Sequence, residues 1–177
     1  MDAIRSSRNI VITTHLSPDG DALGASLALY SFLKRQGKSP RIIVPNSIPY
    51  FLRWMEGAGE IEVYEYHPPA GQRILAAADL IFCLDYNIIK RVGPMGPYIE
   101  NSAATKVLID HHLLPGDGFD ILISHPEISS TSELLFRFLN QAGEYNRLTK
   151  VEAECIYCGM MTDTGGFTYN SGDPEIY

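Results

Sequence analysis

The sequence predicts an α/β fold of the doubly wound type, a mainly parallel sheet with helices on both faces, extending over residues 1–177. Three observations lead to it. Short apolar, β-branched runs alternate with helix-length amphipathic segments, which is the order a parallel sheet requires. The runs are apolar at nearly every position, as strands covered on both faces must be. The 177 residues, 45% of them apolar, suffice for one ordinary core rather than two complete domains.

Residues 9–14 (NIVITT) form the first such strand. Residues 21–36 follow as a helix, with Leu23, Leu27 and Tyr30 on one stripe and Gly37 as its stop. Residues 41–44 read as a second strand, 49–55 as a short helix and 60–66 as a further strand. Residues 80–84 and 106–109 are two more buried strands. Two capping boxes then mark helix starts: Ser130 with Glu133 before LLFRFLNQ, and Thr149 with Glu152 before VEAECIYCGMM. Pro68-Pro69-Ala70-Gly71 and Pro94-Met95-Gly96-Pro97 read as loops. There is no internal repeat, low-complexity tract or long linker.

Composition narrows the function classes. A net charge of −7 argues against a surface that tracks long nucleic acid, because such binding rests on lysine and arginine neutralising phosphates. A small phosphorylated substrate or a strand end remains open, since bound cations can supply positive charge locally. Three cysteines make no disulfide framework, no apolar run reaches the length of a membrane span, and the first residues lack the apolar core of a secretory signal. A soluble, cytoplasmic protein with no membrane partner is expected.

The acidic and imidazole residues decide the functional reading. His15, Asp19 and Asp21 follow the first strand, Asp85 ends another, and Asp110, His111 and His112 end a third. In an open parallel sheet the carboxyl ends of the strands share one edge, where ligands bind. Asp163, past the second capped helix, joins them if that helix packs back over the sheet. Asp19, Asp21, Asp85 and Asp163 would then repel one another in one crevice unless cations were bound. Two divalent ions neutralise four carboxylates, and the mixture of carboxylate with imidazole suits Mn²⁺ or another transition metal better than Mg²⁺. An ion pair roughly 3.5–4 Å apart is the standard device for displacement at phosphorus. Each residue also has a plainer reading: Asp21 as a helix cap, Asp85 as a strand-end loop residue, Asp163-Thr164-Gly165 as a turn. Their joint placement is what the plainer readings leave unexplained.

At these residues the chain resembles the DHH phosphoesterase family. The segments that carry the resemblance are His15-Leu-Ser-Pro-Asp19-Gly-Asp21, Asp85, Asp110-His111-His112, Ser129-Ser-Thr-Ser-Glu133-Leu134 and Thr162-Asp163-Thr164-Gly165, in that order. Within the family the pattern is most similar to bacterial bifunctional nanoRNases that also act as 3′-phosphoadenosine-5′-phosphate phosphatases. RecJ-type exonucleases, family II pyrophosphatases and exopolyphosphatases are more distant. The resemblance implies one ion on His15, Asp19 and Asp85, a second on Asp21, Asp85, His111 and Asp163, and a hydroxide between them as nucleophile. It implies that His112 faces the scissile phosphate and that Asp110 orients an imidazole. Arg91 is a further candidate for phosphate contact. The implied partner is a short oligoribonucleotide or small phosphorylated nucleotide, and a homodimer is compatible with the pattern. Cleavage of polyphosphate or pyrophosphate, and a non-catalytic nucleotide-binding module, are the alternatives. Six competent ligand positions count against the second of these. Nothing in the chain matches the Gly-rich, His-containing lobe that follows the catalytic one in nanoRNases of this family. With the sequence stopping at Asp173-Pro-Glu-Ile-Tyr177, where a linker helix would start, the expectation is a truncated chain.

Other features carry less. Cys155-Ile-Tyr-Cys158 lies inside a helix rather than at its start, so buried small residues are expected and not a redox pair. Tyr50, Phe51 and Trp54 could stack on a base, but their spacing points to the core. His67 and His125 read as ordinary loop residues, and Lys34, Arg35, Lys38 and Arg41 as cations favoured near a helix end.

Overall fold

The central apolar strands divide their side chains between two faces, and both faces are covered. In β1 (Ile10–Thr14), Ile10 and Ile12 join one core cluster and Val11 the other. In β4 (Leu80–Leu84), Leu80, Phe82 and Leu84 lie on the first face, Ile81 and Cys83 on the second. The computed structural model describes residues 1–169 together with Gly172 and Pro174. Apart from Pro174, the expected linker start at residues 173–177 lies outside the described residues.

The remaining strands are β2 (Arg41–Val44), β3 (Glu62–Val63), β5 (Thr105–Asp110) and β6 (Ile121–Ser124). All pairings are parallel, in the order β3-β2-β1-β4-β5-β6. Helices α2 (Gly20–Arg35), α5 (Thr131–Gln141) and α6 (Lys150–Asp163) pack on the first face. Helices α3 (Pro68–Ala77) and α4 (Gly96–Glu100) pack on the second, and α1 (Asp2–Ser6) tucks Ile4 under the first. The doubly wound, parallel arrangement is the one the sequence predicts.

Several local readings are corrected. Residues 68–71 open α3 rather than forming a loop: proline is tolerated in a first turn, where its missing N–H would have no partner anyway. Pro97 plays the same part in α4, so the stretch 94–97 is the entry to a helix. The strand expected over 60–66 shrinks to Glu62–Val63, followed by a 3-10 turn at Tyr64–Tyr66. The segment 49–55 is a 3-10 turn at Tyr50–Leu52, and its tighter winding turns Leu52 and Met55 inward. Tyr50, Phe51 and Trp54 are therefore 84, 68 and 63% exposed, not core residues. Lys38 bonds the carbonyls of Arg5 and Ser7, and Arg41 pairs with Glu62, rather than answering a helix dipole.

The two capping boxes differ. Thr149 and Glu152 exchange both bonds. At α5, Ser130 accepts from the Glu133 N–H, but the Glu133 carboxylate turns to the N–H and hydroxyl of Ser129. Arg35, at the end of α2, donates to Glu144 at 2.7 Å and to the buried Glu152 at 3.1 Å, fastening α2 to the start of α6. Farther along, α2 and α6 touch backbone to backbone: a Cβ on Gly24 would lie 2.5 Å from the Cys155 carbonyl oxygen and 3.0 Å from the Gly159 nitrogen. Cys155 and Cys158 are buried in this contact, and burial pushes the Cys155 thiol up to about 12, which leaves it inert.

Gly24→Ala should therefore cost about 1–3 kcal/mol, the usual range for overpacking, because backbone cannot yield as a side chain can. Thermal unfolding should show a melting temperature lower by several degrees. An unchanged melting temperature would mean that the helices separate without cost.

Candidate metal centre

The chain leaves β1 toward β2 and β3 on one side and returns to place β4 on the other, so the strand order reverses between β1 and β4. At such a switch point the loops diverge and open a crevice beyond the carboxyl ends. His15 follows β1, Asp85 follows β4, and Asp110 with its two histidines ends β5. Asp85 stands in a left-handed backbone conformation (φ 63°), unusual for a residue with a Cβ, and its N–H is held by the Ile109 carbonyl at 3.1 Å.

All six predicted ligand positions come together. His15 Nε2 lies 3.4 Å from Asp85 Oδ2 and 3.8 Å from Asp19 Oδ2. His111 Nε2 lies 3.4 Å from Asp163 Oδ2, 3.7 Å from Asp85 Oδ1 and 3.9 Å from Asp21 Oδ2. Donor atoms within 4.8 Å of one another form two groups, His15–Asp19–Asp85 and Asp21–His111–Asp163, and a third is Asp85–His111–His112. Asp85 faces both imidazoles, one oxygen to each side.

The histidines are oriented by what their Nδ1 atoms meet. His15 Nδ1 donates to the Leu16 carbonyl at 2.8 Å and His111 Nδ1 lies 3.3 Å from the Ile128 carbonyl. A carbonyl only accepts, so in both rings Nδ1 carries the proton and Nε2 turns to the carboxylates. His112 Nδ1 is instead 2.7 Å from the buried Asp110 Oδ1, while Asp110 Oδ2 accepts the His112 backbone N–H. Arg91 is half-buried, its charge is felt at His112, and its backbone carbonyl holds the Leu16 N–H at 2.7 Å.

Asp19 serves two purposes. Its Oδ1 caps α2 by accepting from the N–H groups of Asp21 and Ala22, while Oδ2 faces His15. The helix thus starts at Gly20, and Asp21 is not its cap. Asp21 is fully buried and accepts from the N–H groups of Thr131 (2.7 Å) and Ser132 (2.8 Å) at the start of α5. The Thr131 hydroxyl donates to Asp85 Oδ1 at 2.9 Å. These α5 contacts went unread in the sequence. The only trace was the run of hydroxyl residues at 129–132, which reads as a helix cap.

The charges are incompletely balanced. Burial, then the neighbouring Asp85, pushes the Asp21 carboxyl well above its ordinary value. Burial also raises Asp163, and together with the charges of Asp85 and Asp19 it prevails over the opposing pull of His111 and His112. At Asp85 burial opposes ionisation, but His15, His111 and His112 together hold it low. At His15 burial opposes the proton, and the bond and charge of Asp85 with the Leu16 carbonyl prevail, so its value rises. His112 is raised chiefly by its bond to Asp110. Among the described residues no lysine or arginine pairs with any of the four carboxylates. Four cation-poor carboxylates, those of Asp21 and Asp85 buried, converging with two Nε2 atoms are a donor set that fits divalent ions. A separate apolar groove of about 790 Å³ between α5 and α6, lined by Phe136, Ile156, Tyr157 and Met160, includes none of the six residues.

The sequence pattern of the DHH family, N-terminal domain, matches residues 9–160. The chain belongs to the DHH family. This DHH domain is 29% identical over 168 residues to the bifunctional oligoribonuclease and PAP phosphatase NrnA of Thermus thermophilus, covering 94% of the chain and 47% of that protein. It is 27% identical over 182 residues to the cyclic-di-AMP phosphodiesterase GdpP of Bacillus subtilis, covering 97% of the chain and 27% of that protein. The crystal structure of an exopolyphosphatase-related protein from Bacteroides fragilis superposes with a TM-score of 0.98 at 50% identity, over 99% of the DHH domain and 52% of that chain. The chain thus spans about half the length, or less, of the relatives it matches.

In chelator, Asp21 and Asp163 bind protons more tightly folded than unfolded, so their stabilisation is full below the ordinary aspartate value of 3.8 and is lost as pH rises through their raised values. His15 and His112 lose theirs in the same direction, above 6.5, while Asp85 acts oppositely. Asp21→Asn, which keeps the site neutral there, should gain melting temperature relative to wild type as pH rises across this window. Adding Mn²⁺ should stabilise the wild type increasingly with pH, because the ligands must be deprotonated. A difference between the two proteins that does not change with pH would contradict the assigned burial of charge.

Proposed function

We propose that residues 1–177 are a DHH catalytic domain that binds two divalent cations, Mn²⁺ for preference. It would hydrolyse phosphodiester or phosphomonoester bonds of short oligoribonucleotides or small phosphorylated nucleotides. The observation that carries this reading is the position of Asp85, with one oxygen toward His15 and the other toward His111. The first cation would rest on His15, Asp19 and Asp85, the second on Asp21, Asp85, His111 and Asp163. Such ions, when bound, lower the pKa of water and draw charge from a phosphoryl oxygen. The acidic chain suits short substrates, which place few phosphates against it. A cytoplasmic setting and a homodimer accord with this reading, and among the described residues no helix is long and apolar enough to cross a membrane.

The chain's own residues supply the rest. Asp110 fixes the His112 ring by its Nδ1, which leaves Nε2 to meet the substrate. Because the same bond favours the protonated ring, Nε2 can hold a proton near a phosphoryl oxygen and pass it to the leaving oxygen. The Arg91 guanidinium, near His112 and without an ion pair or hydrogen bond among the described residues, suits a neighbouring phosphate.

Hydrolysis of polyphosphate is the second reading, favoured by the 50% identity to the exopolyphosphatase-related protein. Turnover of a diribonucleotide against polyphosphate separates the two. With Mn²⁺, wild type should bind two ions and cleave, while Asp85→Ala should lose tight metal binding and cleavage together. Arg91→Ala should raise KM with kcat little changed, the mark of a lost ground-state contact. Absence of bound metal in wild type would remove the proposal.

A further inference from the structure

The start of α5 bears on the centre in a way that helix capping does not require. The cap is complete without Thr131: the Ser130 hydroxyl accepts the Glu133 N–H at 3.1 Å, and the Glu133 carboxylate holds the N–H and hydroxyl of Ser129. Thr131 and Ser132 give their backbone N–H groups to the two oxygens of Asp21, so the position of Thr131 is fixed by its main chain. Its hydroxyl is left over. Fully buried, it donates to Asp85 Oδ1 at 2.9 Å.

That bond falls on the one carboxylate shared by both donor groups. The Asp85 backbone is anchored in its left-handed turn, but the carboxyl plane is free to rotate unless something fixes it. Among the described residues, the side chains that pair with or hydrogen-bond to the Asp85 carboxylate are His15 on Oδ2 at 3.4 Å, His111 and His112 on Oδ1 at 3.7 and 3.8 Å, and Thr131. Only the threonine contact, at 2.9 Å, has hydrogen-bond length, and its donor carries no charge. A hydroxyl there occupies one lone pair of Oδ1 and leaves the other, with both of Oδ2, for cations.

We propose that Thr131 is a positioning residue that sets the rotation of the Asp85 carboxylate, so that its two oxygens serve the two cation positions separately. The assignment rests on the two-cation reading above. Its mechanism is the orientation of a ligand by an outer hydrogen bond, whose removal elsewhere weakens metal binding about 10–100-fold.

The test compares Thr131→Ser with Thr131→Ala in the full chain, since both delete the methyl group and differ only in the hydroxyl. Each is titrated calorimetrically with Mn²⁺, and the saturated proteins are examined for the electron paramagnetic resonance of an exchange-coupled ion pair. Melting temperatures in chelator show that both variants are folded. Thr131→Ser should retain two ions, near wild-type affinity and the coupled spectrum. Thr131→Ala should bind at least one ion about 10–100-fold more weakly, with the coupled spectrum lost or changed even at saturation. Equal affinities and identical spectra in the two variants would overturn the role of the hydroxyl while leaving the two-cation reading intact. Should Thr131→Ala fail to fold while Thr131→Ser is native, Thr131→Val, which keeps the volume, takes its place with the same expectations. A wild type that takes up no Mn²⁺ would overturn both readings at once.

Discussion

Two carboxylates that touch the same helix start, Asp21 and Asp85, are buried side by side at the carboxyl edge of the sheet, and much else is arranged around that fact. An isolated ionised carboxylate is costly to bury, and a second beside it adds repulsion. The fold answers with aimed dipoles: two backbone N–H groups and a hydroxyl from α5 converge on the pair, and the helix macrodipole points the same way. Dipoles reduce the charge problem without removing it, since the Asp21 carboxyl still sits well above its ordinary value. What remains is a standing electrostatic demand for cations at one point.

Meeting that demand requires α2, α5 and α6 to stand in fixed relation. Asp21 lies in the first turn of α2, Thr131 opens α5 and Asp163 ends α6. The backbone contact at Gly24 and the Arg35 bonds to Glu144 and Glu152 align α6 along α2 at two points, well separated along the helix. Residues with no part in the chemistry thus determine where a carboxylate at the far end of a helix arrives.

The sequence made much of this legible, for physical reasons that differ by residue. His15, Asp19, Asp85, His111 and His112 stand just past apolar runs, and a parallel sheet has to deliver such positions to one edge. Asp163 was legible as the end of a capped helix with somewhere to fold back to, and as part of the 162–165 segment that carries the family resemblance. Pro68 and Pro69 hid α3, because proline signals both a turn and a helix start. The four-residue edge strand β6 is too short and too exposed to show the pattern of a covered strand. Tyr50, Phe51 and Trp54 misled because their outward placement depends on 3-10 rather than α-helical winding. The Thr131 bond to Asp85 joins residues far apart in the chain, and no local pattern records such a pairing.

The two donor groups also close at different stages along the chain. His15, Asp19 and Asp85 all lie on or beside β1 and β4, which pair directly, so every member of that group is present once the chain has passed residue 85. The Asp21, His111 and Asp163 group waits for the end of α6, the last helix among the described residues. A ribosome releasing the chain from its N terminus therefore presents a half-furnished centre well before a whole one. Helix α6 is the latch: until its glycine seats against α2, a nascent chain can offer one complete nest of ligands but not both.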